Sequence, residues 1–224
     1  MEITPIAHIR SDLKEKFGIP RQSGLVAALR AEVIFTPPYR VPEAVRGLED
    51  FSHIWLIWEF SQARRETWSP TVRPPRLGGN RRMGVFATRS PFRPNSLGLS
   101  AVHLERVELD TPQGPVLHVS GADLLDGTPI YDIKPYIPYA DAIPEASGGF
   151  TDRVDRALLA VECPPEVLER VPAEKRAALL ELLAQDPRPS YQDDPGRVYG
   201  MAFAEWQVRF TVGGGRLRVV EITK

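Results

Sequence analysis

Apolar positions in this chain fall into short runs separated by prolines, glycines and charged clusters, and the runs read as strands. Ile3, Ile6 and Ile9 mark a first strand over residues 3–10. The loop after it, Lys14 to Gly24, is polar and punctuated by Gly18 and Pro20. Residues 31–35 (AEVIF) form a second strand, halted by Thr36-Pro37-Pro38. Pro42 to Arg46 predicts one helical turn ahead of Gly47. The run from Phe51 to Phe60 is the most apolar strand, and it places both Trp55 and Trp58 in the core. A short strand follows over 83–88, then two longer ones over 100–109 and 116–125, joined by the hairpin-like turn Asp110-Thr111-Pro112-Gln113-Gly114. Short strands spaced by turn signals, with almost no long helix before residue 150, predict a β-barrel or sandwich.

The pattern changes after Ala146-Ser147-Gly148-Gly149-Phe150, which reads as a linker. Beyond it, Pro172 to Gln185 carries helical spacing: Pro172 suits the first turn, Glu174 suits the positive end of the helix dipole, and Leu179, Leu180, Leu182 and Leu183 supply an apolar face. The chain closes with a hairpin in which Trp206, Val208, Phe210 and Val212 alternate, Gly213-Gly214-Gly215 turns, and Leu217 and Val219 return. The expectation is a mainly β chain with a small α+β appendage, divided as a barrel over 1–146 and a helix-plus-hairpin unit over 147–224. The second unit is small enough to need packing against the first or against a partner chain.

Composition narrows the class. The 224 residues, 42% hydrophobic and 25% charged, are those of an ordinary globular chain. A single cysteine, Cys163, excludes an internal disulfide or a cysteine-based zinc site and fits a reduced, cytoplasmic setting. His53 lacks a second histidine or carboxylate at ligand spacing, so no metal is expected. No apolar run approaches the length of a membrane span, and the N-terminus interrupts its apolar residues with charge.

The net charge of −1 conceals a polarity. Eight arginines (64, 65, 73, 76, 81, 82, 89 and 93) against Glu66 give the segment 64–93 a charge of +7, leaving −8 for the rest. With arginines dominating and lysines absent, the guanidinium fork points to phosphate or carboxylate, although acids brought near by folding would also balance such a surface. Two proline-braced stretches have the grammar of site loops: Arg76 to Ser100, which breaks into a loop over Arg89 to Asn95 at a strand end, and Asp123 to Asp141, where an Asp-Gly turn at Asp126-Gly127 precedes Asp132, Lys134, Tyr136 and Tyr139. Glycine-rich dinucleotide and phosphate loops, a nucleophile elbow and a His-Glu-x-x-His motif are all missing. Residue chemistry alone therefore stops at a β-rich domain with an arginine-lined site, and an RNA-binding module without catalysis stays open.

A resemblance adds the rest. Lys16 to Gln22 (KFGIPRQ), Pro70 to Asn95 (PTVRPPRLGGNRRMGVFATRSPFRPN), Asp126 to Asp141 (DGTPIYDIKPYIPYAD) and Ala184 to Tyr191 (AQDPRPSY) together resemble the TsaA-like β-barrel proteins, and within them the TrmO-type tRNA adenine N6-methyltransferases. The resemblance implies an S-adenosylmethionine-dependent enzyme, generally a homodimer, that methylates N6 of N6-threonylcarbamoyladenosine beside the anticodon of tRNA. It implies cofactor contacts at Pro20, Arg21, Gln22, Ser61, Gln62, Arg89, Leu125, Asp126, Gly127 and Thr128. For the chemistry, Asp132 and Tyr136 are the candidate proton acceptors and Lys134 an electrostatic aid, with a structural Asp132–Lys134 ion pair as the alternative. For tRNA, Arg73, Arg76, Arg81, Arg82, Arg93 and Asn95 are expected along the backbone. Tyr136, Tyr139 and Tyr191 are candidate stackers, and Arg188 is the second unit's contribution. Two positions depart from the pattern: Ser96 stands where relatives often have Pro, and Ser61 where they can have His, which removes a histidine base at that point. A methyltransferase acting on a small molecule is the alternative within the fold.

Overall fold

The computed structural model describes all residues except 1, 64–66, 75–80, 155, 190, 191 and 193. Six strands close a barrel in the order β1, β2, β7, β6, β3, β8: β1 Ala7–Ser11, β2 Arg30–Phe35, β3 His53–Glu59, β6 Leu97–Glu108, β7 Val116–Ser120 and β8 Pro129–Pro135. All six neighbouring pairs are antiparallel. Between β3 and β6 the chain makes a two-stranded ribbon, β4 Thr71–Val72 with β5 Met83–Gly84. Strand alternation fills the barrel: Ile54, Leu56 and Trp58 of β3 point inward against Ile9, Val33, Val102, Leu117, Val119 and Ile130.

Three expectations change. Residues 83–88 are not one strand, since β5 holds only Met83 and Gly84 and a 3-10 turn takes Val85 to Ala87. The stretch carrying Asp132 and Lys134 is not a loop but β8, the strand that closes the barrel; its prolines sit at the two ends, where a missing N–H is tolerated. Trp55 is not core mass. It lies one residue from the buried Leu56 and therefore on the opposite face of the pleat, where its indole N–H reaches Asp141 at 3.1 Å.

The second core is built on a sheet in the order β10, β11, β12, β9, from β9 Ala160–Glu162, β10 Tyr199–Phe203, β11 Trp206–Gly213 and β12 Arg216–Thr223. The short helices α1 Pro138–Asp141 and α2 Pro165–Leu168 precede α3 Ala173–Ala184. Ala178, Leu179, Leu182 and Leu183 of α3 face the sheet residues Phe203, Phe210 and Leu217, all buried. This core is not confined to the C-terminal half. Leu13, Val26 and Leu29, from the connection between β1 and β2, belong to the same cluster. The connection is stitched there by hydrogen bonds: Ala204 N–H to the Asp12 carbonyl (2.7 Å), Ala202 N–H to the Glu15 carboxylate (2.6 Å) and Ala28 N–H to Glu181 (3.0 Å). Burying a leucine or phenylalanine side chain stabilises by roughly 1.5–3 kcal/mol, so these three residues anchor the 12–29 segment firmly.

Two contacts fix the strands beside the barrel mouth. Gly98 of β6 lies opposite Trp58 of β3, and a Cβ at position 98 would come within 2.3 Å of the indole ring. Asp126 ties the turn before β8 to β1, accepting hydrogen bonds from the Ser11 N–H (2.9 Å) and the Lys14 ammonium (2.8 Å). Burial alone would raise this carboxyl, but Lys14 and Ser11 outweigh it and hold it below the usual aspartate range.

Gly98→Ala should cost about 1–3 kcal/mol as the overpacked indole is displaced, read as a lowered midpoint in chemical denaturation. Asp126→Asn should lower the thermal midpoint at neutral pH. A depressed carboxyl stabilises the fold above its unfolded value of about 3.9 and loses that contribution as pH falls through its folded value, so the gap between variant and wild type should close in acid.

Candidate functional site

A cleft of about 210 Å³ opens at one end of the barrel. Its walls come from three stretches far apart in sequence: Lys16 and Ile19 of the β1–β2 connection, Trp58 to Ala63 at the end of β3, and Asp123, Leu125 and Thr128 ahead of β8, with Pro91 across from them. Antiparallel pairing explains the convergence. The β3 end and the β8 start lie at the same barrel rim because Trp58 is opposite Ile130, and β1 runs on the other side of β8.

Of the expected cofactor residues, Ser61, Gln62, Leu125 and Thr128 line this cleft. Arg89 comes to it from the loop after β5 and donates to the Gln22 side-chain carbonyl. Gln22 in turn donates to the Arg21 carbonyl, and the Arg21 guanidinium reaches the Arg188 carbonyl at 3.4 Å. Pro20 is buried. The Asp126 carboxylate is engaged with Ser11 and Lys14, and the Asp126, Gly127 and Thr128 N–H groups go to the carbonyls of Leu13, Ile9 and Leu125. Gly127 sits at φ +75°, the left-handed conformation that this turn requires. These three residues thus shape the turn through their backbone.

The candidates for proton transfer lie elsewhere. Asp132 and Lys134 pair with each other at 3.1 Å on the outer face of β8, both well exposed. Tyr136 packs beside Trp55 (5.5 Å between ring centroids) and His53 (6.2 Å). None of the three lines the cleft.

A carboxylate that sequence reasoning passed over does. Asp123 faces the cleft and accepts the Ser100 hydroxyl at 2.6 Å. Ser100 is buried and itself accepts the Trp58 indole N–H at 3.0 Å. Because an indole N–H can only donate, the single Ser100 proton is committed to Asp123, and the three side chains form a polarised chain. Burial pushes the Asp123 carboxyl above the usual range, against the pull of the Ser100 hydroxyl, its own and the Ser23 N–H groups and the Arg89 charge. Its only sequence signal was an acid at the end of an apolar run, three residues before the Asp-Gly turn.

The rim of the site is aromatic and basic. Trp68 and Phe86 stand 52% and 73% exposed with ring centroids 6.2 Å apart. Beside them a smaller cavity of about 130 Å³ is lined by Trp68, Phe92, Arg93 and Pro94. Arg73, Arg81 and Arg82 are exposed, Arg82 lying 3.5 Å from the Thr71 hydroxyl. Arg93 braces its own loop through the carbonyls of Thr88 (2.9 Å) and Ser90 (3.4 Å), and Asn95 is exposed on the same loop. Tyr139 is 92% exposed. Arg188 is mostly covered and forks onto Asp186 (2.9 Å from both Nε and Nη2). Arg76 and Tyr191, like Arg64 and Arg65 of the basic segment, lie outside the described residues. Trp68 and Phe86 were legible only as aromatics scattered among arginines. Among the described residues no three or more His, Cys, Asp or Glu side chains are grouped to hold a metal ion, and no helix is long and apolar enough to cross a membrane.

Comparison with known proteins agrees with this architecture. Residues 8–142 match the family model of the tRNA-methyltransferase O N-terminal domain, and residues 156–224 that of the TrmO C-terminal domain. The tRNA (adenine(37)-N6)-methyltransferase of Escherichia coli K12 is 46% identical over 215 residues, covering 92% of this chain and 91% of the relative. A protein of the same name from Eikenella corrodens is 52% identical over 166 residues, covering 74% and 93%. A crystal structure of TrmO from Pseudomonas aeruginosa superposes with a TM-score of 0.79 at 38% identity, covering 100% of this chain and 96% of that one. With both domain models matched in order along one chain, the protein belongs to the tRNA-methyltransferase O family.

Proposed function

We propose that this protein is an S-adenosylmethionine-dependent methyltransferase that methylates N6 of adenosine 37 in tRNA, with N6-threonylcarbamoyladenosine as the acceptor. The supporting observation is the cleft itself: four of the residues that the family resemblance assigns to the cofactor converge on it from separate segments. The relatives named for this reaction extend over nearly the whole chain.

The residues fit such a cofactor. Ile19, Trp58, Phe60 and Leu125 give apolar walls, while Lys16, Gln62 and the Arg89–Gln22 pair give polar groups at the mouth. This suits a ligand with charged ends and an apolar middle. When bound, the cofactor supplies an electrophilic methyl group. The protein's contribution is then to hold cofactor and acceptor in line, a positioning effect that supplies roughly 7–11 kcal/mol in well-oriented systems. A proton also leaves the acceptor nitrogen, and its route runs through groups at the cleft mouth or through water. Asp132, Tyr136 and Lys134 serve this step only if the acceptor is delivered from the outer face of β8.

The RNA reading rests on the rim. Exposed Arg73, Arg81 and Arg82 attract the backbone, and the Trp68–Phe86 pair offers a stacking platform for an unstacked anticodon-loop base. The unit over 147–224 assists, its Arg188 region being joined to Arg21 of the cleft wall. A second copy of the chain fits the outer face of β3, β6 and β8. Leu97 and Leu99 of β6 are exposed there, as are Tyr139 and Ile143 beyond the end of β8.

Purified protein given radiolabelled S-adenosylmethionine should methylate tRNA carrying threonylcarbamoyladenosine and leave unmodified transcript unlabelled, with the product read by nucleoside mass spectrometry. Arg81→Glu with Arg82→Glu should raise KM for tRNA about tenfold or more through lost phosphate contacts while cofactor affinity holds. Unchanged activity would instead favour a small-molecule acceptor, and tRNA binding without any cofactor binding would favour a non-catalytic RNA-binding protein. Leu99→Glu should convert a dimer to a monomer in light scattering, because a buried unpaired charge at an apolar interface costs several kcal/mol.

A further inference from the structure

We infer that Asp123 is the counter-ion by which the cleft selects the cationic sulfonium form of the cofactor over the neutral thioether product. The inference rests on the cofactor reading above and adds a residue and a role to it.

Three observations carry it. Asp123 lines the cleft together with apolar Leu125 and Trp58, and Ser100 joins it to the Trp58 indole. Its protein partners leave its charge in place: Ser100 donates a hydroxyl at 2.6 Å and is itself locked by the Trp58 N–H at 3.0 Å, so the hydroxyl cannot turn away. The nearby cation, Arg89, is drawn to Gln22 and makes no ion pair with Asp123 among the described contacts. A carboxylate withdrawn from water without a full counter-charge is costly to the fold, and a ligand bringing a positive charge offsets that cost.

The kind of cation follows from the surroundings. An ammonium group carries three N–H bonds and needs several acceptors around it. Trp58, which shares Ser100 with Asp123, and Ile19, Phe60, Pro91 and Leu125 line the cleft with side chains that accept no hydrogen bond, and the other carboxylate of the lining, Glu59, is engaged by the Tyr131 hydroxyl at 2.6 Å. A sulfonium has three carbon substituents and donates no hydrogen bond, so apolar walls with one charge behind them match it. On methyl transfer to the acceptor nitrogen the electron pair of the broken carbon–sulfur bond stays on sulfur, which thereby loses its charge. The attraction to Asp123 is lost with it, and product departs more readily than donor. The sulfonium's α-ammonium and carboxylate are left to the polar mouth, where Lys16, Gln62 and Arg89 lie.

Calorimetric titration of the full-length protein with S-adenosylmethionine and with S-adenosylhomocysteine tests this directly. Wild type should bind the sulfonium more tightly. Asp123→Asn, and Asp123→Ser as a second neutral variant, should weaken S-adenosylmethionine by about tenfold or more, about 1.4 kcal/mol per decade, and change S-adenosylhomocysteine by less than about threefold. The asparagine keeps an acceptor for Ser100 and removes a buried charge, so its thermal midpoint should be no lower than that of wild type. Equal loss of both ligands, the mark of an ammonium or purely structural partner, overturns the role, as does no loss of either. Wild type binding neither ligand overturns the cofactor reading as well, which separates the two failures.

Discussion

Closure of the barrel by β8 is the constraint on which the site depends. That strand pairs with β1 on one side and β3 on the other, and it sets the turn ahead of it against the end of β3 and the start of the β1–β2 connection. Apart from Pro91 and Arg89 of the loop between β5 and β6, the cleft is lined from those three places. A shift of one residue in the β3–β8 register would exchange the inward and outward side chains of the strand and leave the cleft without its walls. The bulge lies where the two strands meet the cleft: β8 carries the extra residue Tyr131 between Ile130 and Asp132, so that Ile130 and Ile133 both pack on the barrel core while Asp132 stays outside.

The second structural debt is owed to the 12–29 segment. It leaves the barrel, contributes Leu13, Val26 and Leu29 to the other core, and returns as β2. On the way it lines the cleft with Lys16 and Ile19 and supplies Gln22 to Arg89. The two cores are therefore coupled through a piece of chain that also forms a wall of the site. A small sheet-and-helix unit is stabilised by this packing, and the wall is held more firmly than a free loop would be.

Charge is organised in two layers. Exposed Arg73, Arg81, Arg82 and Arg89 share a stretch of chain with the exposed Trp68–Phe86 pair, while the cleft is lined by Asp123 and Glu59 among apolar side chains. The outer layer suits a polyanion and acts over the Debye length of about 8–10 Å. The inner layer acts at contact range and in low dielectric, where a single charge discriminates far more strongly.

The sequence by itself determined the strand-rich class, the hairpin and helix of the C-terminal part, and the family. Alternation, turn residues and long ordered motifs are local properties that survive in one dimension. By resemblance it also placed Ser61, Gln62, Leu125 and Thr128 among the expected cofactor contacts, and these four line the cleft. What it misjudged were residues whose role depends on the partner strand. Prolines at both ends made β8 look like a loop, and Trp55 was indistinguishable from Trp58 until the pleat assigned them to opposite faces. Only the tertiary structure decided that Asp126 is engaged with Ser11 and Lys14, that Asp132 pairs with Lys134 outside the cleft, and that Asp123 lies within it. An aspartate's sequence neighbours do not report what lies across the barrel, and the desolvation and hydrogen bonds that set a carboxylate's chemistry come from there.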